Sequence, residues 1–126
     1  MKTLLVLLLT LTARVLSAQS VAGAWKAEFD TQVGMQKYVY TIKQNGAALS
    51  GTAVAEMGGE KRDVVLKDVK VKGDTVTFTE TLEFQGNTVP ITYTGVLSGD
   101  QIKFVRKVAD FATEEFVAKR EKGAGA

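Results

Sequence analysis

Five two-residue turn signals, Asn45-Gly46, Gly58-Gly59, Gly73-Asp74, Gly86-Asn87 and Gly99-Asp100, punctuate the chain and leave stretches of alternating apolar and polar residues between them. Such dipeptides supply the positive φ angles that tight hairpins require, so the chain reads as an antiparallel meander. Alternate side chains of a strand point to opposite faces, and parity therefore tells which residues each stretch buries. The first stretch sets Trp25, Ala27 and Phe29 against Lys26, Glu28 and Asp30, the signature of a half-buried strand.

The same parity runs through the rest of the chain. Tyr38, Tyr40 and Ile42 form the apolar face of a second strand, and Leu49, Gly51, Ala53, Ala55 and Met57 that of a third. In the fourth, Val64 and Leu66 lie on one parity and Val69 and Val71 on the other, and a bulge near Lys67-Asp68 brings both pairs inward. Val76, Phe78, Leu82 and Phe84 mark a fifth strand, Val89, Ile91, Tyr93 and Leu97 a sixth, Ile102 and Phe104 a seventh, and Phe116 and Ala118 an eighth. Eight consecutive strands with one apolar face leave two bare edges unless the sheet closes. The expected fold is therefore all-β, a small eight-stranded antiparallel up-and-down barrel, with a two-sheet β-sandwich as the alternative.

Residues 1–18 stand apart from this pattern. Lys2, the apolar run Thr3 to Ala13 and the small residues Ser17 and Ala18 have the layout of a secretory signal peptide, too short for a membrane span. The expected domain is then residues 19–120, followed by a Gly/Ala-containing tail at 121–126. The expected location is periplasmic or extracellular. The chain has 16 Lys and Arg against 14 Asp and Glu, and losing Lys2 and Arg14 with the leader balances the two signs. Balanced, interleaved charge gives no electrostatic handle for nucleic acid or an anionic membrane, and neither is expected as a partner.

Composition removes several chemistries. The chain contains no His and no Cys, which excludes a serine or cysteine triad in its usual form, a His-ligated zinc and any stabilising disulfide. No Gly-rich phosphate loop joins a strand to a helix, and no cofactor or metal is expected. Carboxylate chemistry remains. Glu80 shares the parity of Phe78 and Leu82, and Arg106 that of Ile102 and Phe104, so both are expected to point inward, where parity permits a pair but does not give its separation. An interior ion pair is tolerable where a lone charge is not. The pair reads either as structure or as a polar anchor for a ligand; Tyr38, Tyr40 and Tyr93, which share parity with aliphatic neighbours, read as core packing or, as candidate ligand contacts, as rings lining a barrel mouth. As one half of an acid/base pair, Glu80 would need a second inward carboxylate.

The two ends of the chain carry a resemblance. Gly23-Ala24-Trp25 opens the first strand and Arg120 closes the last on the parity of Phe116 and Ala118. This resembles the structural signature of the calycin superfamily of lipocalins, fatty-acid-binding proteins and avidins, in which a Gly-x-Trp packs against an arginine to close one end of the barrel. The resemblance implies that role for Gly23, Trp25 and Arg120. Leu49-Ser50-Gly51-Thr52 is similar to the avidin third strand, but Trp25 is the sole tryptophan, so biotin binding is not implied. Gly23 to Trp25, Leu49 to Ala53, Val71 to Phe78 and Ala118-Lys119-Arg120 together resemble a small exported bacterial domain that occurs alone or beside glycoside hydrolase and esterase domains.

Three functions are compatible with these readings. The first is an exported binding or accessory barrel for a small apolar molecule or an oligosaccharide. The second is a structural or protein-interaction barrel whose interior is filled by its own side chains, with an unknown protein partner. The third is a carbohydrate-active enzyme built around Glu80, a xylanase-type hydrolase by resemblance.

Overall fold

The computed structural model describes residues 20–121. The expected signal peptide, and all but the first residue of the expected tail, lie outside them. Eight strands follow one another: β1 (Gly23–Thr31), β2 (Gly34–Asn45), β3 (Ala48–Met57), β4 (Glu60–Lys72), β5 (Thr75–Phe84), β6 (Asn87–Ser98), β7 (Gln101–Val108) and β8 (Ala112–Arg120). Each pairs antiparallel with the next, and β8 returns to β1, so the sheet closes as an up-and-down barrel and not as a sandwich.

The turns differ in detail from the sequence reading. Asn45 pairs with Ala48 and Phe84 with Asn87, which places the turns at Gly46-Ala47 and Gln85-Gly86, one residue away from the signals. Gly58-Gly59 and Gln85-Gly86 have two successive positive φ values, the I′ pattern, and Gln85 accepts φ 52° to meet it. Two hairpins carry no sequence signal: Thr31 pairs with Gly34 around Gln32-Val33, and Val108 pairs with Ala112 around a three-residue loop that begins with Ala109 at φ 46°.

In β4 the register slips between Lys67 and Lys70, and Asp68 turns to φ 55°. This is the expected bulge, and it returns Val69 to the interior. Val71 shares that facing but sits at the strand's end, where it is half-exposed. Gly95 is needed for packing: a Cβ there would lie 2.5 Å from Ile102 Cγ2 and 2.6 Å from Phe104 Cε1.

The barrel has two unlike ends. At one, the chain before β1 folds across the base, and the Trp25 indole, wholly buried, donates Nε1–H to the Val21 carbonyl at 2.9 Å. The Arg120 guanidinium stacks over that indole, 4.3 Å from the ring centroid, and donates to the carbonyls of Ala22 and Ser20 at 3.0 and 2.9 Å. Its Nε reaches Asp100 on the β6–β7 turn at 3.1 Å. Gly23 leaves room for this, since a Cβ there would come 3.0 Å from Arg120 Nη1. The three residues expected to close the barrel thus meet at this end.

Above this base the interior is filled by aromatic rings. Tyr40, Phe78, Tyr93 and Phe104 contact one another with centroids 4.5–5.8 Å apart in tilted and edge-on arrangements. The β1–β8 ladder is short, limited to Trp25 with Arg120 and Lys26 with Lys119, and farther along that seam Phe29 stacks on Phe116 at 4.0 Å.

Candidate functional site

The polar centre of the barrel is built around Glu80, which no solvent reaches, and Arg106, 3% exposed. Parity brings each inward, as expected, but their direct contact is the longest in the cluster, Arg106 Nη2 lying 3.9 Å from Glu80 Oε1. Two phenols, Tyr38 and Tyr93, mediate between them, and a third, Tyr40, supports Tyr93. Tyr38 donates its hydroxyl to the two Glu80 oxygens at 3.1 and 2.9 Å, Tyr93 donates to Oε1 at 2.9 Å, and Tyr40 donates to Tyr93 at 3.1 Å. Arg106 in turn donates Nε to Tyr93 at 2.9 Å and Nη2 to Tyr38 at 3.1 Å.

Two further charged residues complete the cluster, and sequence reasoning did not single them out. Arg62 on β4 donates Nη2 to Glu80 Oε2 at 3.1 Å and to Tyr38 at 3.2 Å. Glu114 on β8 accepts from Arg106 Nη1 at 2.6 Å. A usable signal existed, because Arg62 shares the parity of Val64 and Leu66, and Glu114 that of Phe116 and Ala118. Among the described residues no buried side-chain polar atom lacks a hydrogen-bond partner.

The barrel's second end is open. A cavity of about 910 Å³ runs from the hairpin tips down to Arg62, Arg106, Glu114 and Ile91. Its wall is largely apolar, with Ala55, Leu82, Val89 and Val108, and each of four hairpins adds one large apolar rim residue: Val33, Met57, Phe84 and Phe111. Phe84 and Phe111 are 57% and 69% exposed. The sequence parity assigned Leu82, Phe84 and Met57 inward. That facing holds, but their height at the mouth leaves Leu82 only partly covered and Met57 and Phe84 exposed. Of the five candidate ligand residues, Arg106 lines the cavity, whereas Glu80, Tyr38, Tyr40 and Tyr93 form the layer beneath its floor.

Burial governs the titration of this layer. It pushes the phenols of Tyr40 and Tyr93 well above their ordinary value and raises that of Tyr38, where the Glu80 charge adds to the effect. Burial alone would work against the Arg106 charge, but its phenol and carboxylate partners outweigh that cost and hold the guanidinium protonated.

The consequence for stability has a definite sign. Below the unfolded-state phenol value, about 10, both states keep these protons and the contribution is complete; above it the unfolded chain releases them first, and stability falls until the folded phenols titrate. The chain has three tyrosines, all in this cluster. The tyrosinate absorbance at 295 nm is therefore expected to stay flat through about pH 10, then to appear in one step with loss of the far-ultraviolet β signal. Gradual ionisation near pH 10 with the fold intact would show that the phenols are open to water.

Among the described residues no group of three or more His, Cys, Asp or Glu is placed to hold a metal ion, and no helix is long and apolar enough to cross a membrane. Comparison with family models, with curated proteins and with solved structures found no match to this chain.

Proposed function

We propose that this chain is an exported, calycin-like binding barrel that admits a small molecule with a substantial apolar part through its open end. The observation that carries the reading is the shape and lining of that end: a cavity of about 910 Å³ with largely apolar walls, a charged floor, and a rim on which Val33, Met57, Phe84 and Phe111 stand among polar residues such as Glu60, Lys61 and Asn87. Ligand sites typically occupy about 300–1,000 Å³ and combine apolar walls with a few placed polar groups. The sealed base and the aromatic fill restrict entry to the mouth. Glu80 lends no support to a hydrolase, because it does not line the cavity and its oxygens are occupied by Tyr38, Tyr93 and Arg62.

The test is a thermal-shift screen against alkyl and aryl compounds, fatty acids and oligosaccharides. A ligand at a hundred times its dissociation constant adds about 2.7 kcal/mol, which moves the melting temperature of a domain this size by several degrees. The shift is expected to disappear in the Phe84→Ser/Phe111→Ser variant, whose unliganded melting temperature should stay near that of the parent, because both rings already stand in solvent.

A second reading is favoured by a specific observation, the full satisfaction of buried polar side chains beneath the floor. It makes the barrel a filled scaffold whose partners are proteins. No shift across the panel would select it over the first.

A further inference from the structure

The charges on the cavity floor are already closed into pairs. Arg62 is held 3.1 Å from Glu80, and Arg106 2.6 Å from Glu114, so two cations meet two anions. Arg62 and Glu114 nevertheless keep one side turned to the cavity, their side chains being 41% and 12% exposed. Among the described residues, Nε and Nη1 of Arg62 and Oε2 of Glu114 have no hydrogen-bond partner. The floor thus offers donors and an acceptor but no net charge. Both guanidinium groups reach the same Tyr38 oxygen, at 3.2 and 3.1 Å, which keeps the two halves of the floor within the span of one small head group.

This arrangement discriminates by charge. An anionic head drawn to Arg62 meets a cation already neutralised by Glu80 and a second carboxylate, Glu114, in the same cavity. A cationic head drawn to Glu114 meets the converse in Arg106. Either one brings an uncompensated charge into a partly desolvated space. A hydroxyl both donates and accepts, so a head carrying several of them can accept from Arg62 and donate to Glu114 while leaving the charge balance intact.

We infer that, within the binding function proposed above, the mouth selects an amphiphile with an uncharged polyhydroxyl head, seated head-down on Arg62 and Glu114 with its apolar part against Leu82, Val108, Phe84 and Phe111. The chemical class is that of an alkyl or aryl glycoside, not a fatty acid or an alkylamine.

Isothermal titration of the protein with octyl glucoside, octanoate and octylammonium, all below micelle formation, tests this. Octyl glucoside is expected to bind at least tenfold more tightly than either ion. Glu114→Gln leaves the floor with one excess positive charge, and octanoate is expected to gain tenfold or more in that variant. Arg62→Met should weaken octyl glucoside about tenfold, and because Arg62 is half-exposed the variant provides an independent test if Glu114→Gln does not fold.

Tighter binding of octanoate or octylammonium to the parent would overturn the head-group assignment while leaving the binding barrel standing. An octanoate affinity unchanged in Glu114→Gln would overturn the charge argument itself. Failure of all three probes, together with no shift in the wider panel, would remove both readings.

Discussion

Trp25→Ala is expected to lower the stability of the barrel by about 3–5 kcal/mol, the usual cost of emptying a fully buried aromatic site. At this domain size each kcal/mol lowers the melting temperature by about 4–8 °C, so the loss should be about 12–40 °C or leave the chain unfolded at ambient temperature. The cause is specific to the sealed end. The indole is the plate on which Arg120 lies, and its N–H anchors the Val21 carbonyl, so removing it loosens both the base covering and the β1–β8 seam. Arg120→Ala removes the cap while leaving the plate. Because Arg120 is partly exposed, the carbonyls of Ser20 and Ala22 can turn to water, and a smaller loss of about 1–2 kcal/mol follows. Arg120→Lys should recover only part of it, since an ammonium cannot stack flat while reaching two carbonyls and Asp100. A melting temperature within a degree of the parent for Trp25→Ala would sink this account of closure.

Glu80→Leu should cost a similar amount, about 3–5 kcal/mol, for a different reason: it fills space but strands the groups that converge on it. Tyr38 and Tyr93 lose the acceptor of their buried hydroxyls, and Arg106 keeps Glu114 as its remaining carboxylate partner. A urea-denaturation cycle with Arg106→Met resolves the coupling. The double variant is expected to lose clearly less than the sum of the two singles, because both singles disrupt hydrogen bonds of the same two hydroxyls, Tyr38 and Tyr93, and that shared disruption is incurred once. A Glu80→Leu variant within about 1 kcal/mol of the parent, or strict additivity in the cycle, would show that the cluster is not the interdependent unit its geometry describes.

The fold was legible because turns and facing are local properties repeated along the chain, and closure follows from the need to cover two bare sheet edges. Turn dipeptides mark hairpins, parity marks faces, and an odd change of parity such as that between Leu66 and Val69 marks a bulge. The hairpins at Gln32-Val33 and Ala109 escaped because neither contains a glycine; Ala109 adopts the left-handed conformation without one. Glu80 stood out as a lone charge between Phe78 and Leu82 on an inward parity.

Arg62 and Glu114 carry the same signal, yet they sit in Glu60-Lys61-Arg62-Asp63 and Thr113-Glu114-Glu115, runs that read as solvated surface. Height along the barrel axis was the missing coordinate. Parity states that a residue faces inward; whether it lies in the fill, on the floor or at the mouth depends on how eight registers stagger around the barrel, which emerges only from the closed sheet. For the same reason Tyr38 could be placed inward but not on Glu80, 42 residues away in sequence.

Ser20 and Glu121 leave the barrel side by side at its sealed base, the first held by Arg120 through its carbonyl and the second donating its backbone N–H to Ala24 at 2.8 Å. The molecule is in effect a cup gripped by its foot. A reporter, a resin or a neighbouring domain joined directly at Ser20 or at Glu121 hangs from that foot, and the lip stays turned toward the surrounding fluid whichever is used. Immobilising the barrel through a link at Ser20 and then through one at Glu121 should therefore leave access to the lip the same.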